Sequence, residues 1–445
     1  MLHQEAIKFL YDLQVFGLKL GLENTFRLAA LAGNPHERLR FIHVAGTNGK
    51  GSTCAMLESI YRNAGLRVGL FTSPHLVHFG ERIQVNRVPL SKDQVTRSVE
   101  RIMRLLEGFP KDHSPTFFEV VTIMALTHFA EAECDLVIWE TGMGGRLDAT
   151  NIVTPLATVI TNIQHDHERW LGQTLEAIAF EKAGILKPNV PALTATTAPD
   201  ALAVIQRRAA EVGAPLRVLQ HRDTHDPRLL RSRPPLPGEH QLWNAALALA
   251  TVDTLQPLLP VSDEAITKGL ATVRWDGRFQ ALRDASGNTT ILDGAHNPAG
   301  AEVLAAALRE AYPSVKPPIV MGVMRDKDWD RMLRILAPGA SEIFLVPVSS
   351  NRSATPEELR PLAQSLLVDG ASVHLCDSLA DGLARTAGCP LRVVAGSLYL
   401  VGEALELLRP TANLPAGERG LNEWSPAQKQ PGVLPGQDLA QVNAP

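Results

Sequence analysis

The stretch FIHVAGTNGKGST (41 to 53) sets a buried-strand pattern, a glycine-rich turn and the helix pattern CAMLESIYRNAG in succession. In such a turn glycines let backbone N–H groups face inward around phosphate oxygens, the helix N-terminus adds positive partial charge, and Lys50 reaches the terminal phosphates. The chemistry this predicts is nucleoside triphosphate binding. The segment departs from G-x-x-x-x-G-K-[ST], because Val44 stands where the first glycine belongs and Gly51 where a hydroxyl residue follows the lysine. An ordinary glycine-rich βα turn is the bland alternative.

Other polar residues fall at equivalent places. Ser73 follows RVGLFT, Glu140 closes DLVIWE, and Asp166 and His167 follow ATVITNI. In an open parallel sheet the C-terminal ends of the strands form one rim, where ligands bind, so residues distant in sequence converge. A carboxylate and a hydroxyl beside a triphosphate suit magnesium, which takes few protein ligands and completes its shell with water and phosphate oxygens. Imidazole is not a preferred magnesium ligand, which leaves His167 the weakest member on chemistry alone. Taken singly, Glu140 also fits a helix cap and His167 an ordinary loop histidine. The nearby ETGMGGRLDATN does not complete a dinucleotide fingerprint, since Leu147 stands where the third glycine belongs. Gly142, Gly144 and Gly145 instead allow close backbone approach to a ligand, or a tight turn.

The elements that must position these residues follow an alternating pattern. From about Arg40, short β-branched runs (FIHVA, RVGLFT, DLVIWE, ATVITNI) alternate with amphipathic stretches, as in βα units on a mainly parallel sheet. Ser91 and Gln94 form a capping box, after which Val95, Val99, Ile102, Met103 and Leu106 recur on one helical face. A second series begins at TTILDGAH and continues through PPIVMGV, SEIFLVPV, ASVHLC and LRVVAGS. The expected fold class is α/β: an N-terminal phosphate-loop ATPase domain with a mainly parallel sheet, plus a smaller C-terminal Rossmann-like α/β domain. The expected boundaries are 1–276, a linker at 277–288 where Gly277 interrupts the pattern, a second domain at 289–410, and a disordered tail at 411–445 rich in Pro, Gly, Gln and Asn. A length of 445 residues favours two domains over one.

Composition narrows the function classes. A net charge of −4 gives no field that draws nucleic acid to the whole surface. The four cysteines, Cys54, Cys134, Cys376 and Cys389, show no C-x-x-C spacing, which fits a reduced cytoplasmic chain. No apolar run predicts a membrane span, and the N-terminus lacks a signal layout.

At this point the residues resemble a known family, the dihydrofolate and folylpolyglutamate synthases, the folate branch of the Mur-type ligases. The resemblance rests on HVAGTNGKGST, GLFTSPHLVHFGERI, ETGMGGRLDATN, DHERWLG, EKAGILK, GRFQ, LDGAHNP, DKDWDRML and GSLYL, in family order over roughly residues 1 to 405. It accounts for the irregular phosphate loop, because the family form is GTNGKGS. It implies ATP contacts from Asn48, Gly49, Lys50, Gly51, Ser52, Asn244, Arg278 and Asp293, and magnesium ligation by Ser73, Glu140 and His167. Lys50, Lys182 and His296 are implied at the reacting centre, Lys182 as a carbamate. Leu20, Gly21, Leu22, Thr116, Phe117, Phe118, Glu119, Leu147, Asp148 and Ala149 match segments that line a pterin pocket in bifunctional members. A flat pterin needs apolar faces and one or two directed polar groups, although Phe117 and Phe118 also fit the start of a core helix.

The implied activity joins L-glutamate to dihydropteroate and to folates, using ATP through an acyl phosphate. The expected partners are these small molecules, met by a cytoplasmic monomer with no nucleic acid or membrane partner. Two alternatives stay open: a cell-wall amino-acid ligase, against which the short stretch before His43 argues, and a phosphate-loop binding protein without ligase chemistry.

Overall fold

Residues 41–45 are buried throughout, as a strand flanked by parallel neighbours and covered on both faces must be. The computed structural model describes residues 1–14, 21–109, 114–367, 372–409 and 418. Among them, the first eight strands are β1 (Phe41–Ala45), β2 (Val68–Phe71), β3 (Ile83–Val85), β4 (Val88–Pro89), β5 (Leu136–Glu140), β6 (Ala157–Ile160), β7 (Ala192–Thr194) and β8 (Leu216–Val218). They form one sheet in the order β4-β3-β2-β5-β1-β6-β7-β8. β2, β5, β1 and β6 are neighbours and all parallel, so their C-terminal ends lie on one rim. The edge hairpin of β3 and β4 runs antiparallel, which the β-branched pattern did not disclose.

The period of two along each strand sorts the core into two layers. Ile42 and Val44 pack with Ile138, Val159 and the helices Lys50–Asn63 and Glu239–Leu255. Phe41 and Trp139 face the other way, against the helices His3–Leu13, Lys92–Leu106 and Phe117–Glu131. The Ser91 and Gln94 capping box forms as predicted. Val95, Val99 and Ile102 are buried on the expected face, but Met103 is 39% exposed. One residue past Ile102 the helix has turned too far for Met103 to share its seam.

The second sheet comprises β9 (Gln280–Arg283), β10 (Thr289–Asp293), β11 (Ile319–Met321), β12 (Ile343–Leu345), β13 (Val373–Leu375) and β14 (Leu391–Ala395). Their order is β13-β12-β11-β14-β10-β9, parallel except for β9. The stretch expected to be linker therefore contributes a strand. β9 is an edge strand with alternating half-buried and exposed residues, too weak a pattern to read from composition.

One residue of the expected disordered tail departs from that expectation; the rest of 411–445 lies outside the described residues. Glu418 is 6% exposed. Its carboxylate accepts from the Phe79 amide at 2.8 Å and pairs with His3 Nε2 at 2.8 Å. Arg82 Nε donates to His75 Nδ1 at 2.8 Å, so His75 Nε2 carries the proton that it donates to Glu418 O at 3.0 Å. We expect Glu418→Ala to lower the unfolding free energy by about 1–3 kcal/mol, because the buried Phe79 amide loses its acceptor and His3 its carboxylate partner. A denaturant midpoint equal to wild type would show that these contacts contribute nothing.

Candidate active site

The phosphate-type loop is built by backbone that rejects side chains. Gly46 has φ +149°, and a Cβ there would lie 1.8 Å from Thr161 Oγ1. Gly49 has φ +86°, and its Cβ would meet Asn244 Oδ1 at 2.4 Å. Both positions require glycine. Residues just beyond β6 fix the loop: Thr161 Oγ1 donates to Asn48 O at 2.7 Å, Asn48 N donates to Asn162 Oδ1 at 2.8 Å, and Asn48 Nδ2 reaches Gln164 Oε1 at 2.7 Å. These three anchors were missed from the sequence, although their position after a rim strand was a usable signal.

Lys50 opens the helix Lys50–Asn63 and folds back to donate to Gly46 O at 3.1 Å and Thr47 O at 3.2 Å. Lys182 comes from the helix Leu175–Ala183 to the same carbonyl, Nζ to Gly46 O 2.8 Å, and is 4% exposed. Burial first, then the charge of Lys50, pushes its ammonium down to about 7, against the opposing pull of Asp166 and Asp148. On the side of the nucleotide set, Gln241 Nε2 donates to Ser52 Oγ at 3.3 Å and Asn244 Nδ2 to Gln241 Oε1 at 3.0 Å. Gly51 lies against the Trp275 indole, within 2.8 Å of where a Cβ would stand.

Of the expected metal set, Ser73 and Glu140 are brought together: the Ser73 amide donates to Glu140 Oε2 at 3.0 Å. Glu140 is 3% exposed, and burial raises its carboxyl to about 6 despite the neighbouring Lys50. His167 lies in the segment that follows β6, with its amide donating to Asp166 Oδ1 at 2.8 Å. Among the described residues no group of three or more His, Cys, Asp or Glu side chains is spaced to hold a metal. A buried carboxylate beside a hydroxyl nevertheless fits magnesium's habit of taking few protein ligands.

The second sheet closes the site from the opposite side. Asp293, at the end of β10, accepts from Phe279 N and Ala295 N, both at 2.8 Å, and burial raises its carboxyl although Arg278 opposes this. His296 Nδ1 donates to Gly294 O at 2.8 Å, which turns Nε2 towards Asp166 Oδ2 at 3.6 Å. Asn297 Nδ2 reaches Asn48 Oδ1 at 3.2 Å. Lys327 Nζ donates to Asp166 Oδ1 at 2.6 Å. Burial alone would raise the Asp166 carboxyl, but the neighbouring His296 ring and the Lys327 charge outweigh it and hold the group well below the usual carboxylate range. Within DKDWDRML nothing in the sequence marks Lys327 as a site residue.

Lys327→Met would strand a carboxylate that is only 8% exposed, and we expect a loss of up to about 3 kcal/mol in unfolding free energy. Lys327→Met combined with Asp166→Asn should recover part of it. Additive losses in the double variant would refute the pairing.

The pterin-type residues gather on the Phe41 and Trp139 side of the first sheet. Leu22, Phe117 and Phe118 pack on the same core layer. A Cβ on Gly142 would come within 2.5 Å of the Phe118 ring, so that ring lies on the loop bearing Asp148. Asp148 is 8% exposed and accepts from Met143 N at 2.8 Å; burial raises its carboxyl. Leu147 is half-buried and Ala149 buried beside it. Thr116 and Glu119 close the capping box of their helix, with Thr116 N donating to Glu119 Oε2 at 2.6 Å. Among the described residues nothing lies within 4 Å of where a Cβ on Gly21 would stand, and Leu20 lies outside the described residues.

Comparison with known proteins agrees with this geometry. Residues 44–252 match the Mur ligase middle domain and 277–392 the Mur ligase glutamate ligase domain. The chain is 34% identical to the dihydrofolate synthase/folylpolyglutamate synthase of Bacillus subtilis, covering 92% of this chain and 99% of that protein. It is 35% identical to the enzyme of that name from Escherichia coli, covering 90% and 94%. The structure matches E. coli FolC in complex with DHPP and ADP at a TM-score of 0.80 and 32% identity, over 92% of this chain and 98% of that one. It matches Mycobacterium tuberculosis folylpolyglutamate synthase complexed with ADP at 0.82 and 28%, over 92% and 99%. The cell-wall alternative is not favoured by these relatives. Among the described residues no helix is long and apolar enough to cross a membrane. The chain belongs to the dihydrofolate synthase/folylpolyglutamate synthase family of Mur ligases.

Proposed function

We propose that this chain uses ATP to join L-glutamate to dihydropteroate and to extend reduced folates. The observation that carries the reading is the convergence of the glycine loop, Lys50, Lys182, Glu140 and the Asp148 loop on one rim of the sheet. A carboxylate oxygen of the pterin substrate attacks the γ-phosphorus of ATP and ADP leaves. The glutamate amine then attacks the acyl carbon, phosphate leaves, and the amine gives up a proton. Lys50 and the loop amides lie where charge builds on the transferring group, which is where such donors lower the barrier. Asn48, Gly49, Gly51, Ser52, Asn244, Arg278 and Asp293 form the nucleotide contacts in this reading.

Ser73, Glu140 and His167 would hold Mg²⁺, which supplies neutralising charge at the phosphate oxygens. Lys182, with its pKa pushed down to about 7, presents a neutral amine that can add carbon dioxide and release a proton, giving a carbamate. His296, Asp166 and Lys327 bring the second sheet over the site and exclude water from an intermediate that hydrolyses readily. The protein acts as a cytoplasmic monomer on these small molecules.

The test is ADP release measured with each substrate omitted in turn. Sustained release that needs both dihydropteroate and glutamate is expected. Sustained ADP release that glutamate does not stimulate, with no amide product formed, would remove the ligase reading.

A further inference from the structure

His43 stands in the middle of β1, fully buried, and no step above uses it. Its register partner on the adjoining strand is Trp139. Register partners on parallel neighbours share a face, and these two side chains reach the same residue. Trp139 Nε1 donates to Thr150 O at 2.9 Å, and His43 Nε2 lies 2.9 Å from Thr150 Oγ1. Thr150 in turn donates its hydroxyl to Asp148 Oδ1 at 2.5 Å and its amide to the same oxygen at 3.0 Å.

Proton counting gives this chain a direction. A hydroxyl carries one proton, and an ionised carboxylate has none to give, so the Thr150 proton is spent on Asp148. His43 Nε2 must then be the donor to Thr150 Oγ1. The ring is consequently the Nε2–H tautomer with a bare lone pair at Nδ1, and among the described residues Nδ1 has no hydrogen-bond partner. Burial pushes the imidazole down to about 3, so the ring is neutral across the working range. An unpaired lone pair is more readily tolerated than an unpaired N–H.

We propose that His43 and Thr150 are positioning residues: through the directed chain His43 Nε2–H to Thr150 Oγ1–H to Asp148, they register the pterin-facing carboxylate to the central strands. The inference rests on the reading that Asp148 meets the pterin. Asp148 has no lysine or arginine hydrogen-bonded to it among the described residues, so the Thr150 hydroxyl and the loop amides define where its oxygens point. Trp139 holds the Thr150 backbone while His43 holds its side chain, and that two-point grip prevents the loop from rotating about either bond.

The experiment compares KM for dihydropteroate and for ATP in Thr150→Val, Thr150→Ser, His43→Phe and Asp148→Asn. Hydrogen bonds to charged groups set the scale, and Thr150→Val should raise KM for dihydropteroate about ten- to a hundredfold, with KM for ATP within about twofold of wild type. Thr150→Ser should restore most of the loss, and His43→Phe should move KM in the same direction as Thr150→Val. A wild-type KM in Thr150→Val, alongside a raised one in Asp148→Asn, would overturn the relay and leave the pterin reading intact. An unmoved KM in Asp148→Asn would instead sink the pterin reading. Equal rises for ATP and dihydropteroate, or no recovery with serine, would make Thr150 merely structural. Should Thr150→Val fail to fold, Thr150→Ser and His43→Phe decide between the same outcomes.

Discussion

Lys50→Ala should lower kcat/KM for ligation by about 10²–10³ while the protein stays cooperatively folded. The ammonium lies over the loop that the γ-phosphate would occupy, and in this structure it is parked on the carbonyls of Gly46 and Thr47. Those bonds are replaceable by water at a part-buried site, whereas charge stabilisation of the transferring phosphoryl group is not. Circular dichroism with steady-state kinetics separates the two. Near-normal turnover in folded Lys50→Ala would remove the phosphate-loop assignment.

The second large effect belongs to Lys182. Lys182→Ala should abolish ligation to a similar extent, and a small added carboxylate should restore part of it by occupying the vacated space with negative charge. Carbon-13 NMR of the active enzyme supplied with labelled carbon dioxide should show a carbamate; an unmodified amine in active enzyme would contradict that role.

The same residue gives a stability signature that does not depend on activity. Its native pKa is pushed to about 7, against an unfolded value of about 10.4. Between these values the unfolded chain binds the extra proton, so stability rises with pH across that window and is flat on either side. Below about 7 the cost of burying the ammonium is fully present. In carbon-dioxide-free buffer, wild type should therefore become more stable from pH 7 towards pH 10, and Lys182→Met should lose that slope. Parallel curves for the two proteins would show that the amine is not desolvated.

Much of this arrangement is legible in the sequence. β1 and β5 read clearly because FIHVA and DLVIWE are mostly apolar runs, and every residue of both strands is buried, the pattern of strands covered on both faces. Once those strands are parallel, Ser73, Glu140 and Lys50 must share a rim, and they do. The fold class follows from the same alternation.

What stayed hidden depends on contacts that no local pattern encodes. Lys327 and Asp166 meet across 161 residues, and neither stretch marks its partner. His43 looked like one more strand residue, because its value lies in which loop residue crosses its face. Glu418 sits in a Pro- and Gly-rich run whose composition argues for disorder, yet its carboxylate meets His3 and the Phe79 amide while its backbone carbonyl accepts from His75. β9 does not stand out from linker in the sequence, because an edge strand alternates half-buried with exposed residues.

The most direct measurement of the central claim follows the oxygen. Dihydropteroate labelled with oxygen-18 in its carboxylate is incubated with the purified chain, ATP, magnesium and L-glutamate, and the released phosphate is analysed by mass spectrometry. If the carboxylate attacks the γ-phosphorus and the amine then displaces phosphate, each phosphate released carries one labelled oxygen and each new amide retains the other. Phosphate free of label, accompanied by ADP, would mean that ATP is hydrolysed by water, and the ligation mechanism proposed for this site would be contradicted.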